Sequence, residues 1–303
     1  MPIPDFQSIM LPFLKTVSDG DVYSNSVINE RLAVFFKLTE EELNELLPSG
    51  VAKIFYNRVA WAKTYLKTSG LIESFNRGQF KITELGKTVL EKKPIYLNLR
   101  LLKELPSFLE GKSDPKTNNS GIEPLDSSDI KETPEEILES SYLNIRKNLS
   151  QELLLKIKSC KPSFFETLVV ELLVKMGYGG TMKEAGKSIG KSGDEGIDGV
   201  IKEDKLGLDI IYIQAKRWEG VVGRPEIHKF IGALAGQGAK KGVFITTSRF
   251  TNEAKDYQPK NETKIVLIDG EQLAQLMIDY NLGVTKQQTY EIKRIDTDYF
   301  EEE

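Results

Sequence analysis

Three polar residues in the second half of the 303-residue chain have the types and spacing suited to hydrolysis of a phosphodiester. Asp198 lies in a β-branched run, and Gln214 and Lys216 lie two residues apart in a second such run. A carboxylate and an amide oxygen are ligands that Mg²⁺ accepts, and a lysine can hold the attacking water or stabilise charge on the phosphate. The three residues therefore predict a metal-assisted hydrolytic site.

A β-hairpin is the element that must position these side chains. The charged segment between the two runs has the composition of a turn. If the chain folds back near Leu206, Asp198 lies opposite Gln214, because cross-strand partners are equidistant from the turn. The strand period of two puts Gln214 and Lys216 on the same face. The alternative interpretation is an amphipathic hairpin whose polar face is only solvated.

Two stretches of sequence carry a family resemblance. Gly-Asp-Glu-Gly-Ile-Asp-Gly-Val-Ile at 193–201, followed by Tyr-Ile-Gln-Ala-Lys-Arg-Trp at 212–218, resembles the catalytic core of Mrr-like restriction endonucleases, a branch of the PD-(D/E)xK nuclease superfamily. Three further segments share the likeness, at 222–226, 230–236 and 242–248. The resemblance implies that Asp198, Gln214 and Lys216 are catalytic residues.

Gln214 departs from the wider superfamily, in which a carboxylate is usual at this position. A neutral amide is a weaker Mg²⁺ ligand, so the site needs another acid or binds its metal more loosely. Glu166 is the candidate, since an acid on the helix before the core hairpin often faces the metal in PD-(D/E)xK folds. The competing interpretation is a capping box, in which Glu166 bonds the backbone of Ser163 at the start of that helix. The predicted metal ligands are Asp198, Gln214 and Glu166.

The first third of the chain has the pattern of a winged helix. Apolar residues at helical spacing predict four helices before residue 70, and two short apolar runs around Asn76, Arg77 and Gly78 predict a β-hairpin that precedes a last helix. The residues from Asn57 to Leu71 also resemble the N-terminal domain of Mrr-like proteins. We therefore expect a winged-helix domain over 1–110.

Charge in this region indicates a nucleic-acid partner. Residues 53–93 contain nine basic and three acidic residues, whereas the whole chain has a net charge of −4. Each Lys or Arg that faces a phosphate adds affinity and salt dependence. The alternative is a helix face that is only solvated. The candidate DNA-binding residues are Asn57, Arg58, Lys63, Arg77 and Lys81, and Arg77 at the tip of the wing is best placed for a groove.

The rest of the chain divides into a linker and a second domain. Residues 111–133 are rich in Ser, Asn, Asp, Pro and Lys and predict a flexible linker. Thr133 and Pro134 predict the start of a long helix to about residue 158. Beyond it, strands alternate with helices, so we expect an α/β fold over 134–303: a PD-(D/E)xK restriction-endonuclease-like mixed sheet flanked by helices.

Composition excludes several other classes of site. The chain has one cysteine, Cys160, and one histidine, His228, so neither an internal disulfide nor a multi-histidine metal cluster can form. No apolar run is long enough to span a membrane, and the first residues lack the signature of a signal peptide. We expect a cytoplasmic protein that is nucleoid-associated when bound to DNA.

Taken with the resemblance, these features predict a Mg²⁺-dependent restriction endonuclease of type IV that cuts double-stranded DNA. The resemblance implies modified, typically methylated, DNA as the trigger. A homo-oligomer is expected because cutting both strands of a duplex needs two active sites. Two alternatives remain open: a DNA-binding regulator with a vestigial nuclease fold, which Gln214 makes conceivable, and a repair nuclease that recognises DNA structure or damage.

Overall fold

The computed structural model describes residues 2–76, 78–105, 131–179, 196–204, 207–257 and 262–293. These residues form two compact units, which lie within Met1–Leu143 and Asn144–Lys293. The predicted domain limits at 110 and 134 stay a prediction. Most of the predicted linker, residues 111–130, lies outside the described residues.

The first unit has the elements expected of a winged helix. In chain order they are α1 (Phe6–Thr16), β1 (Tyr23–Ser24), α2 (Asn25–Phe36), α3 (Glu40–Asn44), α4 (Ile54–Thr68), β2 (Ile72–Asn76), β3 (Gln79–Ile82), α5 (Glu84–Glu91) and α6 (Leu99–Lys103). The helices predicted from apolar spacing are confirmed. The predicted hairpin is confirmed as the antiparallel pair β2 and β3.

One strand of this unit was not predicted. β1 pairs with β3, which gives an antiparallel sheet in the order β1-β3-β2. Two residues are too few to show the alternation by which a strand is recognised in a sequence. The core beneath the sheet contains the fully buried rings of Phe6, Phe13 and Phe55.

The second unit is an α/β structure. Its elements are α7 (Pro134–Ser159, which begins in the first unit), α8 (Pro162–Lys175), β4 (Gly199–Lys202), β5 (Ile210–Lys216), α9 (Arg224–Gly236), β6 (Lys241–Thr246), α10 (Asn252–Lys255), β7 (Lys264–Ile268) and α11 (Gly270–Asp279). In the part of the chain that the structure describes, none of the helices has the length and hydropathy of a membrane span.

The sheet of this unit is mixed, as the sequence predicts. Its strand order is β4-β5-β6-β7, with β4 antiparallel to β5 and the other neighbours parallel. One face packs against α7, α8 and α11, through side chains such as Ile213 and Phe165. The other face packs against α9 and α10 around Phe244 and Phe230. Strand β5 is therefore internal, with helices on both faces of the sheet.

Helix α9 approaches the sheet at a glycine of strand β6. A Cβ on Gly242 would lie 2.7 Å from the Phe230 ring, so only glycine permits this contact. Among the small residues of α9, Ala233 is buried, whereas Gly232 and Gly236 are exposed.

Candidate active site

The hairpin of β4 and β5 brings Asp198 beside Gln214. The register pairs Gly199 with Ile213 and Val200 with Tyr212, so Asp198, one residue earlier, comes into line with Gln214. The Asp198 backbone N–H also donates to the Ile213 carbonyl, at 2.9 Å. The predicted antiparallel hairpin is confirmed.

At the end of the hydrogen-bond ladder between β4 and β5, the Asp198 carboxylate takes the place of a backbone carbonyl as acceptor. Its Oδ2 accepts a hydrogen bond from the Ala215 N–H at 2.7 Å. Burial raises the pKa of Asp198, against the opposing effects of the Ala215 N–H and the positive charge of Lys216. The carboxylate is thus fixed through one oxygen and held where its ionised form is disfavoured.

Gln214 has an amide oxygen that is buried and has no partner among the described residues. The residue is 4% exposed, and its Oε1 accepts no hydrogen bond. Leaving such an acceptor unpaired costs about 1–3 kcal/mol. Gly196 lies against the same amide: its φ is +104°, and a Cβ there would lie 3.0 Å from Gln214 Nε2. A glycine of the sequence motif thus gives Gln214 its space.

Lys216 is held by an acid and an aromatic ring. Its Nζ lies 2.8 Å from Glu226 Oε2 and 4.4 Å from the centroid of the Trp218 ring. Glu226 stands in the first turn of α9 and also accepts from Lys229 Nζ at 2.7 Å. The hydrogen bonds from Lys216 and Lys229 lower the pKa of Glu226. The Lys216 ammonium therefore points toward a carboxylate that stays ionised.

Glu226 was not among the predicted site residues. Its place after a proline at the start of a helix has an ordinary explanation, since acids in a first turn stabilise the helix dipole. The signal that could have found it was its position within the 222–226 segment that shares the family likeness.

The capping interpretation of Glu166 is wrong. Helix α8 begins at Pro162, its N-cap is Lys161, and no side chain caps it. Pro162 takes the first helical position, where its missing N–H costs nothing, so Ser163 already lies inside the helix. Burial raises the pKa of Glu166, and the negative charge of Asp198 raises it further. Glu166 is therefore an electrostatic neighbour of Asp198.

The structure thus brings the four predicted catalytic residues into one neighbourhood. Among the described residues, no three His, Cys, Asp or Glu side chains group closely enough to hold a metal ion. Beside the Asp198 and Glu166 carboxylates, the amide oxygen of Gln214 is a further donor that a metal ion could use. The observed donors are thus two nearby carboxylates with raised pKa values and an amide oxygen without a partner. Asp194 and Glu195, two further acids of the sequence motif at 193–201, lie outside the described residues.

Two of the predicted DNA-binding residues are occupied within the first unit. Thr133 Oγ1 donates to Asn57 Oδ1 at 2.8 Å, and Asn57 Nδ2 also bonds Glu135. Arg58 bonds Glu136 through Nε at 2.9 Å and through Nη2 at 2.8 Å, and its Nη1 donates to the carbonyl of Ile3. These bonds secure the segment that starts α7, and DNA contact by Asn57 and Arg58 stays a prediction.

Two of the three remaining candidates, Lys63 and Lys81, lie among the described residues. Lys63 Nζ donates to Asn25 Oδ1 at 2.7 Å, and its pKa is lowered by burial and by the charge of Lys67. Lys81 lies 3.2 Å from Glu73 in a partly exposed ion pair. Arg77 lies outside the described residues. DNA contact by these three residues also stays a prediction.

Comparison with known proteins agrees with both units. Residues 157–277 match the catalytic domain of the Mrr family, described as a restriction endonuclease, and residues 6–92 match the Mrr N-terminal domain. The chain is 35% identical over 317 residues to the type IV methyl-directed restriction enzyme EcoKMrr of Escherichia coli (strain K12), an alignment that covers 99% of this chain and 100% of the relative. The chain belongs to the Mrr family of restriction endonucleases.

Two solved structures show more distant likeness. The DNA modification-dependent restriction endonuclease AspBHI has a TM-score of 0.36 and 18% identity, over 45% of this chain and 36% of that one. The MspJI restriction endonuclease in complex with a 27-mer oligonucleotide has a TM-score of 0.31 and 18% identity, over 54% and 36%. The chain thus aligns with about a third of each of these proteins, and the family assignment rests on the sequence matches.

Proposed function

We propose that this protein is a modification-dependent DNA endonuclease that hydrolyses phosphodiester bonds with the help of Mg²⁺. Membership of the Mrr family supports endonuclease activity, and the full-length relative is a methyl-directed enzyme. The observation that carries the proposal is the buried Gln214 oxygen without a partner, in line with Asp198 on the neighbouring strand.

The residues present fit a divalent cation. Asp198, Gln214 and Glu166 would hold it, because all three offer oxygen donors. Two of them are carboxylates whose pKa values are raised by burial, so a cation would stabilise their ionised forms. When bound, Mg²⁺ supplies electrostatic stabilisation of the charge that develops on the scissile phosphate.

Lys216 supplies the part of catalysis that comes from a protein side chain and not from the metal ion. An ammonium has three donors, and the bond to Glu226 uses one of them. The remaining donors can orient the attacking water and stabilise negative charge on the phosphate. Glu226 and the Trp218 ring fix the direction of the side chain, so the lysine is arranged before DNA arrives.

The first unit supplies recognition in this proposal. A winged helix presents a helix and a wing to the duplex, and the basic residues of 53–93 supply charge for phosphate contact. Double-stranded DNA carrying a methylated base is the proposed substrate. We further propose a homo-oligomer that acts in the cytoplasm on foreign DNA, since each duplex has two strands to cut.

The test is cleavage of one plasmid in three forms: unmethylated, methylated at adenine and methylated at cytosine. Purified protein with Mg²⁺ is expected to cut one methylated form, and Lys216→Ala, as a folded control, is expected to cut none. Equal cutting of all three forms would contradict dependence on modification. Tight binding without cutting of any form would favour a regulator with a vestigial nuclease fold.

A further inference from the structure

A small pocket in the first unit lies between the helices that a winged helix uses for recognition. Its volume is about 230 Å³, and α1, α2 and α4 line it. The lining residues are Phe13, Asn25, Ile28, Asn29, Tyr56, Val59, Ala60 and Lys63. Residues from three separate helices meet there, so no stretch of sequence shows the pocket by itself.

The order of the elements puts the pocket next to the helix that reads DNA in a winged helix. Helices α2 and α4 take the positions of the helix-turn-helix pair, whose second helix enters the major groove. Asn25 at the pocket mouth also donates its backbone N–H to the Gly78 carbonyl in the hairpin turn, at 3.2 Å. The mouth of the pocket is therefore next to the wing.

Its lining divides into a buried apolar floor and an exposed rim. Phe13, Ile28 and Val59 are buried and form the floor. Asn25 and Ala60 are exposed at the mouth. Apolar side chains in a major-groove reader contact base methyl groups, and Asn pairs with the N6 and N7 edge of adenine.

Positive charge lies at the same mouth. Lys63 Nζ is 2.7 Å from Asn25 Oδ1 and 5.8 Å from the centroid of the Phe80 ring. Burial lowers the pKa of Lys63, and the charge of Lys67 on the next turn of α4 lowers it further. The ammonium groups of Lys63 and Lys67 on one helix face are complementary to the phosphates that border a groove.

We propose that this pocket takes the methyl group of a modified base presented in the major groove. The inference rests on the proposed modification dependence and assigns it to residues of α2 and α4. A methyl group on adenine N6 or on cytosine C5 projects into the major groove, and both offer the same apolar contact. The volume falls below the roughly 300–1,000 Å³ of ordinary small-molecule sites, which favours part of a base over a free ligand.

The expected preference is modest for the methyl contact alone. Burying one methyl group contributes about fourfold in affinity, and an amide contact to the base edge adds to it. Unmodified DNA should still bind through its phosphates, because those contacts do not depend on the pocket.

The experiment measures binding of the full chain, with chelator present, to three duplex libraries made from the same pool of randomised sequences. One library is unmodified, one carries N6-methyladenine and one carries 5-methylcytosine. Competition anisotropy should show that the wild type prefers one methylated library by about fourfold or more. Ala60→Leu fills the mouth with a good helix former and should reduce the preference below about twofold while unmodified DNA binds as before.

Thr64→Leu is the matched control, because Thr64 is exposed one turn along α4 and does not line the pocket. It should keep the wild-type preference. Asn29→Ala is a second pocket variant that shortens a lining side chain, and it should also weaken the preference. It replaces Ala60→Leu as the test if thermal melting shows that Ala60→Leu does not fold. A preference that survives in folded Ala60→Leu and in Asn29→Ala overturns the pocket assignment alone. No methylated preference in the wild type overturns modification dependence, and the pocket assignment with it.

Discussion

Glu136 in the first unit is a buried carboxylate and Asp198 in the second is a half-buried one, and their partners differ. Glu136 is 9% exposed and accepts from the Arg58 guanidinium and from the Thr133 backbone N–H, at 2.7–2.9 Å. Asp198 accepts one backbone N–H, and its carboxylate neighbour is Glu166, whose charge repels it.

The difference separates a carboxylate that stabilises the fold from one that is kept for a ligand. Glu136 has a cation of its own chain in contact with it, so its burial is compensated. Burial of Asp198 raises its pKa, and Gln214 adds an oxygen without a partner at the same place. The Ala215 N–H and the charge of Lys216 offset only part of this electrostatic cost, and a divalent cation would relieve the rest.

The largest expected effect is on chemistry. Lys216→Ala should reduce the rate of DNA cleavage by about 10³-fold, since it removes a charged donor from the reacting phosphate. Asp198→Ala should do the same and also leave the Ala215 N–H without its acceptor. DNA affinity, measured by anisotropy, should persist in both variants. Retained cutting by both would remove the assignment of this site.

Breaking the compensated pair should affect stability. Arg58→Ala leaves the Glu136 carboxylate buried without its cation, which should lower the free energy of unfolding by about 3 kcal/mol. Urea denaturation measures this, and Arg100→Ala, an exposed arginine on α6, is a control expected to change little. A fall of about one in the salt slope of DNA binding would instead place Arg58 on the phosphates.

A smaller effect is expected at the acid that directs Lys216. Glu226→Gln keeps an acceptor but removes the charge, and it should slow cleavage by about 10- to 100-fold, as loss of a positioning partner does elsewhere. Lys229→Ala removes only the exposed partner of Glu226 and should change the rate by less than about twofold. Equal effects of the two substitutions would contradict a positioning role for Glu226.

The smallest effect concerns stability against pH in the presence of chelator. The folded state raises the pKa values of Asp198 and Glu166, so it favours their protonated forms. Their contribution to stability is therefore full below the ordinary carboxyl pKa and is lost as the pH rises through the raised values. Above that range, the free energy of unfolding of Asp198→Asn should exceed that of the wild type by on the order of 1 kcal/mol, and this difference should close in acid. A gap of the same size at every pH would contradict burial of the ionised carboxylate as its cause.

Periodicity and turn chemistry predicted much of the fold. The hairpin register followed from the distance of Asp198 and Gln214 to the turn, and the start of α7 followed from Thr133 and Pro134. In the structure Thr133 and Glu136 do exchange hydrogen bonds at that start. These features depend on residues near one another in the chain, and local sequence contains that information.

Features that depend on distant residues escaped prediction. Arg58 meets Glu136 across 78 positions, so neither residue shows from its own surroundings that it has a partner. Ser163 and Glu166 fit the capping pattern, and only the observed start of α8 at Pro162 excludes it. The contact between Lys216 and Glu226 needs the turn between β5 and α9, whose geometry the sequence pattern does not specify.

The internal position of β5 has a consequence for how this enzyme should fail when heated. The strand is bordered by β4 and β6, so the amide hydrogens of Gln214 and Lys216 should exchange with solvent as slowly as any in the unit. Side chains anchored there cannot drift apart while the rest of the unit stays folded. Thermal inactivation should therefore be a single cooperative step that coincides with melting of the sheet.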